Sequence, residues 1–374
     1  MTAVMERPEL SQCGRWRVSV QEYIQFRRQG FLVVRGLVAP DEIDELRDHT
    51  EDLMQGRLPE QSRPMAERDL ARDGGVSVQG LEAPPEHLSP AEKAQYFLRI
   101  HMLHRKLELH ERYLLHGRVL DVLQALIGPD VLALQTMLFL KPPGKPGQGW
   151  HQDSYYIPTF PDSLCGAWIA IDDCDERNGA MWMAAGSGVE PVYPPVSGYG
   201  HGDRQLENIA YVENVSNPDD DANDLSPIAD RYPQVLVAAR AGDVVFFNGH
   251  VLHRSKQNWT ADRFRRAFVS HYCNARSFTQ WGADSPAGDP GERRLRHASP
   301  TIDPVTKMTN GSHILARGDT HLPFARPRFG TPCAALLSPD QRRRESEYAA
   351  AAMGDMPSGM MGAAPADPNR KEGH

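Results

Sequence analysis

Eight of the ten positions from Val131 to Leu140 are apolar, and the run stops at Lys141-Pro142-Pro143-Gly144. A short continuous apolar run closed by a turn signal predicts a buried strand. The same pattern recurs at Cys165–Ile171, at Val244–Asn248 behind Gly242-Asp243, and at Arg266–Tyr272. Helical spacing surrounds these runs. Val20–Arg28 sets Tyr23, Ile24 and Phe26 among charges, Gly30 closes it, and Phe31–Arg35 reads as a strand. Pro40-Asp41-Glu42 opens a second helix to about Met54, with Ile43, Leu46, His49 and Leu53 near one stripe. Residues 91–127 carry Leu98, Met102, Leu107, Leu114, Leu120, Leu123 and Leu126, and are expected to be helical.

Between these stretches the pattern breaks down. Residues 57–90 are polar and contain prolines, as a loop or lid would. Residues 189–232 form a long connection with Pro191, Pro194, Pro195, Gly198, Gly200, Gly202 and the acidic run Asp219-Asp220-Asp221. Connections of this length are uncommon and often serve as active-site lids, so this one is expected to cover a site and help select substrate. Residues 280–335 are irregular, and His313 and His321 within them are read as ordinary polar residues. The organisation expected is one domain over 15–340, between a flexible tail at 1–14 and a disordered tail at 341–374 rich in Ala, Gly, Met and Pro.

Composition narrows the class. With 374 residues and 40% hydrophobic content, the chain can bury a sizeable core. A net charge of −8 argues against nucleic acid as a partner, since binding there rests on neutralising phosphates. No run of about 18 apolar residues is present, so no membrane span is expected. The N-terminus lacks a signal-peptide core. The five cysteines (Cys13, Cys165, Cys174, Cys273, Cys333) are odd in number and form no C-x-x-C, which fits a reducing cytoplasm.

The stretch Trp150-His151-Gln152-Asp153-Ser154-Tyr155-Tyr156 puts an imidazole and a carboxylate two residues apart. In an extended chain i and i+2 share a face, so His151 and Asp153 can aim at one point. His253 lies one hundred positions past Asp153 (253 − 153 = 100). Two imidazoles and one carboxylate on one face of a metal, other positions open, are the ligand set of non-haem Fe(II) oxygenases. The plainer alternative is a loop histidine satisfied by a backbone carbonyl. His250 competes with His253, because both follow the Val244–Asn248 strand and face opposite ways in an extended chain. His101, His104, His110 and His116 stand at mixed helical spacing and are read as structural or solvent-facing.

Taken together, Gln135-Thr136-Met137, Lys141-Pro142-Pro143, His151-Gln152-Asp153, Ala167-Trp168, Asn178-Gly179, Gly242-Asp243, His253-x-Ser255-x-x-Asn258 and Phe264-Arg265-Arg266-Ala267 resemble the phytanoyl-CoA dioxygenase family of Fe(II)/2-oxoglutarate oxygenases. Order and rough spacing agree over about residues 15–280. The resemblance implies a mainly β fold with flanking helices, built on a double-stranded β-helix (jelly-roll, cupin-like) core. It implies His151, Asp153 and His253 as iron ligands. It also implies an arginine that binds the far carboxylate of 2-oxoglutarate, with Ser255, Trp168, Met137 and Gln135 nearby. The spacing after His253 is one residue longer than the family pattern, so Arg265 and Arg266 compete for that role, and Arg265 is preferred. Adjacent strand residues face opposite ways, so only one can serve. Ala184-Ala185-Gly186-Ser187-Gly188 stands where the family often has Pro-Gly-Ser-His.

Gln152, Tyr155, Tyr156 and His250 are candidates for the substrate wall. The activity implied is oxidation of a small molecule by O2 and 2-oxoglutarate, with ascorbate as an in vitro reductant. A carboxylate at 153, rather than Gly or Ala, points to hydroxylation or desaturation instead of halogenation. The competing readings are a cupin-like metalloenzyme that does not use 2-oxoglutarate, and a non-catalytic metal- or ligand-binding homologue.

Overall fold

The computed structural model describes residues 15–61, 76–77, 82–193, 222–277, 279 and 313–319. The chain opens with helix α1, Val20–Gln29. Ser19 caps it: its Oγ accepts from the Glu22 N–H at 3.2 Å, and the Glu22 carboxylate accepts from the Ser19 N–H at 2.7 Å. Gly30, at φ +85°, ends the helix and turns the chain into strand β1, Phe31–Val34. Helix α2 spans Pro40–Gln55 and buries Ile43, Leu46, Leu53 and Met54.

Residues 91–127 are not continuously helical. They hold a short helix α3, Pro90–Lys93, strand β3, Arg99–His101, a 3-10 turn at Leu103–Arg105, and helices α4, Glu108–Leu114, and α5, Gly117–Ile127. The long strand β4, Val131–Lys141, explains the interruption. Its edge needs backbone partners, and Arg99, Ile100 and His101 supply them opposite Phe139, Leu138 and Met137. Tertiary pairing here overrides the helical spacing of the leucines.

The two-residue strand β2, Val76–Ser77, pairs parallel with β3. The remaining strands are β5 (Gln148–His151), β6 (Cys165–Ala170), β7 (Met181–Ala184), β8 (Gln234–Val237), β9 (Val244–Asn248), β10 (His253–Ser255), β11 (Arg265–Asn274) and β12 (Ile314–Arg317). They form two sheets. The large one runs β1-β9-β6-β11-β4-β3-β2, with β12 also on β4, and the small one runs β5-β10-β7-β8. Every pairing except β2–β3 is antiparallel. This is the expected jelly-roll core with flanking helices.

The large sheet has two apolar faces. One packs under the helices, through Phe246, Phe268 and Tyr272 against Leu46, Tyr113 and Leu120. The other faces the small sheet, where Trp168, Val245, Phe247 and Val269 meet Met181 and Met183. Burial on both faces is why these strands read as near-continuous apolar runs. In the long connection, residues 222–232 carry a short helix α6, Ser226–Ala229, and Leu225 and Ile228 pack on Trp150 and Leu252. Residues 194–221 of that expected lid, the two expected tails, His321, Cys13 and Cys333 lie outside the described residues. Cys165, Cys174 and Cys273 are free thiols in the interior. Among the described residues no helix is long and apolar enough to cross a membrane.

Candidate metal centre

The strand pair β5–β10 makes the centre. His151 and His253 are cross-strand partners, with ring centroids 4.1 Å apart. Gln152 is extended (φ −121°, ψ 131°), so Asp153 returns to the side of His151 before the chain turns into the 3-10 segment Asp153–Tyr155. The donor atoms of His151, Asp153 and His253 all lie within 4.8 Å of one another. Each Nε2 is 3.7 Å from Asp153 Oδ1. That is too long for a hydrogen bond, and it suits donors held roughly 2 Å from one shared ion.

The imidazoles are preset as ligands. His151 Nδ1 lies 2.9 Å from the Gly149 carbonyl, and His253 Nδ1 lies 3.0 Å from the Val251 carbonyl. A carbonyl only accepts, so Nδ1 carries the hydrogen and each Nε2 turns a lone pair inward. Burial, helped by the neighbouring His253, pulls His151 down to about 3, so it is neutral at physiological pH. Burial alone would raise the Asp153 carboxyl. The imidazoles of His253, His271 and His151 outweigh burial and hold it well below the usual carboxylate range.

His271 was recognised in the sequence only as part of a strand, yet it touches the centre. Its Nε2 lies 2.7 Å from Asp153 Oδ2, and its Nδ1 lies 2.9 Å from Gln135 Nε2. With the Gln135 amide donating to Nδ1, the Nε2–H must donate to Asp153. The carboxylate is thereby oriented from β11 and β4, leaving Oδ1 toward the imidazoles. The only sequence signal for this was a histidine on the apolar run that follows the arginines.

Next to the triad is a cationic cradle. Ser255 follows His253 by two on β10 and shares its face. Its Oγ accepts from Lys141 Nζ at 3.0 Å and lies 3.5 Å from an Arg265 terminal nitrogen. Arg265 Nε donates to the Gly179 carbonyl at 3.1 Å, and its guanidinium stands 6.0 Å from the centre of the Trp168 ring. Burial pulls Arg265 down to about 10, which leaves it charged at neutral pH. Among the described residues no carboxylate lies within ion-pairing distance of it. Arg266 points the other way, where Asp172 holds it at 2.8 Å through two oxygens and Glu51 adds a third contact. Met137 packs partly buried on the Arg265 side of the sheet. Lys141 is a member of the cradle that the sequence did not single out, although it lies in one of the matching motifs.

The other candidates are placed differently. Gln152 is fully buried, and its amide is committed to backbone: it donates to Pro191 and His250 carbonyls at 3.0 and 2.9 Å and accepts from Tyr193 N–H at 2.9 Å. It ties down the loop start rather than facing the metal side. His250 Nδ1 donates to the Glu190 carbonyl at 2.9 Å, and its ring lines a cavity of about 700 Å³ beside α1. That cavity's lining includes none of the three ligand candidates. Tyr156 stands edge-on to His151, centroids 6.4 Å apart, and Tyr155 packs against Tyr156 at 5.0 Å. His104 bonds Thr136 at 3.0 Å and His116 meets Glu42 at 3.2 Å, both remote from the triad.

A family model described as Phytanoyl-CoA dioxygenase (PhyH) matches residues 26–267, a span that holds the triad and both arginines. The chain is 27% identical over 261 residues to the peroxisomal phytanoyl-CoA dioxygenase of Rattus norvegicus, covering 68% of each chain. It is 25% identical over 288 residues to phytanoyl-CoA dioxygenase domain-containing protein 1 of Danio rerio, covering 71% of this chain and 93% of that one. Among solved structures, the alpha-ketoglutarate-dependent epimerase SnoN of nogalamycin biosynthesis matches at TM-score 0.48 and 18% identity, over 72% of this chain and 86% of that one.

Proposed function

From the premise that the chain belongs to the phytanoyl-CoA dioxygenase family, we propose that it is an Fe(II)- and 2-oxoglutarate-dependent dioxygenase that hydroxylates an unactivated C–H bond of a small molecule. The observation that carries this reading is the preset donor set. Two imidazoles turn their Nε2 atoms, and one carboxylate turns an oxygen, to one point. Two nitrogens and one oxygen are what a non-haem Fe(II) site uses.

His151, Asp153 and His253 hold the iron. His271, braced by Gln135, keeps Asp153 turned toward it. Arg265, Ser255 and Lys141 bind the far carboxylate of 2-oxoglutarate, for which a planar guanidinium offers paired donors. Trp168 and Met137 wall that pocket. Tyr155 and Tyr156 flank the metal side opposite the cradle and exclude water from it. Iron bound at the triad would bring O2 and the keto acid together and supply the oxidant for C–H cleavage, with succinate, CO2 and the hydroxylated substrate as products. Asp153 occupies the position a halide would need, which favours hydroxylation over halogenation. A small secondary metabolite or an amino-acid-like molecule is the substrate class proposed.

The test is succinate release from purified protein with Fe(II), ascorbate and 2-oxoglutarate. Slow succinate without added substrate is expected, lost on chelation and in His253→Ala. Metal-loaded protein that forms no succinate with any substrate pool would sink the reading. Product formation that persists without 2-oxoglutarate would move it to the cupin-like alternative.

A further inference from the structure

Helix α1 is exposed along nearly its whole length. Of its ten residues only Phe26 is buried. Val20, Tyr23 and Ile24 stand at i, i+3 and i+4 and are 69%, 40% and 40% exposed. Arg27 and Arg28 carry the same stripe on to i+7 and i+8. Tyr23, Arg27 and Arg28 also line the cavity of about 700 Å³ beside the helix, so the stripe faces that hollow.

Two more apolar side chains rim the hollow. Val189, 82% exposed, ends the 3-10 turn Ser187–Val189 and lines the cavity. Phe160, 57% exposed, lies two residues before Asp162, which lines it too. Single exposed hydrophobics are ordinary, whereas contiguous ones mark contacts. Here five of the seven large hydrophobics exposed among the described residues gather at one face, and only Val235 and Trp259 lie elsewhere. The face is charged as well. Arg27 and Arg28 make no ion pair among the described residues. Asp162 meets His250 Nε2 at 3.6 Å, and 41% of its side chain stays in water.

What fits such a face follows from its contents. It holds protrusions and a hollow, and it holds unpaired cations and an exposed carboxylate. A surface that carries both members of each complementary pair is complementary to itself, which is what a two-fold interface requires. A partner of different sequence would need only one member of each. Tyrosine and arginine are also enriched where interfaces are buried. The chain has a net charge of −8, so two copies repel in general. The arginine pair relieves that repulsion at this face.

We propose that this face joins two copies of the chain about a two-fold axis. Phe160 and Val189 of each copy enter the hollow of the other, and Arg27 and Arg28 of each meet Asp162 of the other. The stripe of Val20, Tyr23 and Ile24 is covered in the process. The pairing is independent of the dioxygenase reading, because none of the three metal-ligand candidates lines the hollow.

Sedimentation velocity of the full chain tests it. Across roughly 1–100 µM, a range that brackets moderate affinities, wild-type protein should pass from monomer to dimer or be dimeric throughout. Ile24→Glu and Val189→Glu should each weaken association roughly tenfold or more, as for residues at the centre of an interface. Both sites are exposed, so circular dichroism and Tm should match wild type. Arg27→Glu/Arg28→Glu alone, and Asp162→Lys alone, should also weaken association, since like charges then meet. Mixed in equal amounts, these two variants should pair with each other at near wild-type strength, because every charged contact of the mixed dimer again joins opposite signs.

A monomer throughout the range would overturn the proposal. So would association that Ile24→Glu and Val189→Glu leave unchanged, which would place the contact on another face. Charge variants that fail to pair when mixed would overturn it too, and would give the stripe to a different partner.

Discussion

Two neighbours on β11 show what separates the two faces of the large sheet. Arg265 and Arg266 are both buried, at 4% and 6% exposure, and adjacent strand residues point opposite ways. Arg266 faces the helices and is held by Asp172 and Glu51. Arg265 faces the barrel and meets a serine, a carbonyl and an indole, but no carboxylate. A buried charge with its partner in place belongs to the scaffold. A buried charge with donors satisfied only in part is arranged for something that arrives later. The same contrast extends across each face. Beyond Arg266 and its carboxylates, the helix side is mainly apolar, with buried Thr136, Ser270 and His110 among its polar members, whereas the barrel side carries His271 and Lys141 beside its apolar cluster and faces Asp153.

The strongest way to break this contrast is at the centre of the barrel side. Asp153→Ala should reduce succinate formation by roughly 10³-fold or more, about 4 kcal/mol in the barrier, while circular dichroism reports an intact fold. Wild-type turnover in that variant would remove the triad from the reaction.

The arginine pair itself comes next. Arg265→Leu should raise the KM for 2-oxoglutarate roughly 30- to 1,000-fold, the effect of losing about 2–4 kcal/mol from a buried charge contact, with Tm unchanged or higher. Arg266→Leu should do the reverse. It leaves Asp172, 16% exposed in its side chain, with Arg47 at 3.9 Å as its only charged partner, and should cost about 1–3 kcal/mol of stability with KM unchanged. Exchanged results would exchange the faces.

A third measurement sharpens the barrel side. His271→Leu removes the hydrogen bond that orients Asp153, and should weaken Fe(II) binding about 10- to 100-fold by anaerobic calorimetry. Equal affinity would reduce that contact to packing.

The smallest effect belongs to the helix side, at His110. It is wholly buried between His49 and Phe268, and neither ring nitrogen finds a partner. Burial pushes its pKa well below the ordinary value, so the folded protein holds it neutral while the unfolded chain protonates it below about 6.5. Stability is therefore complete above that pH and declines as pH falls, by up to about 1.4 kcal/mol per unit for one such group. His110→Leu should flatten the decline in Tm between neutral pH and pH 5.5. An unchanged slope would assign the acid sensitivity elsewhere.

Much of this contrast was legible in the residues, and the illegible parts have a common cause. Strands β4, β6, β9 and β11 announce themselves because both their faces are buried. The pair His151 and Asp153 was visible because its alignment is a local property of extended chain. Strands β5, β7 and β10 were not visible, since three or four residues are too few to show a periodicity. The helical expectation over 91–127 failed at Arg99–His101 because the edge of β4, some 40 positions on, needed a partner. His271 escaped for the same reason: its contact with Gln135 is a matter of cross-strand register over 136 positions. Arg265 over Arg266 was a preference in the sequence, and the faces of β11 now separate their environments.

One consequence of the strand order concerns time. Strand β11 is the ten-residue seam between β4 and β6, yet it is made more than a hundred residues after β4 begins (265 − 131 = 134). At ribosomal rates of about 5–20 residues per second, the nascent chain exposes the facing edges of β4 and β6 for on the order of ten seconds. During that interval it carries His151 and Asp153 without His253, Arg265 or His271. A metal ion met early finds two of the three ligand candidates; the third arrives with β10, and the His271 that braces Asp153 arrives only with β11.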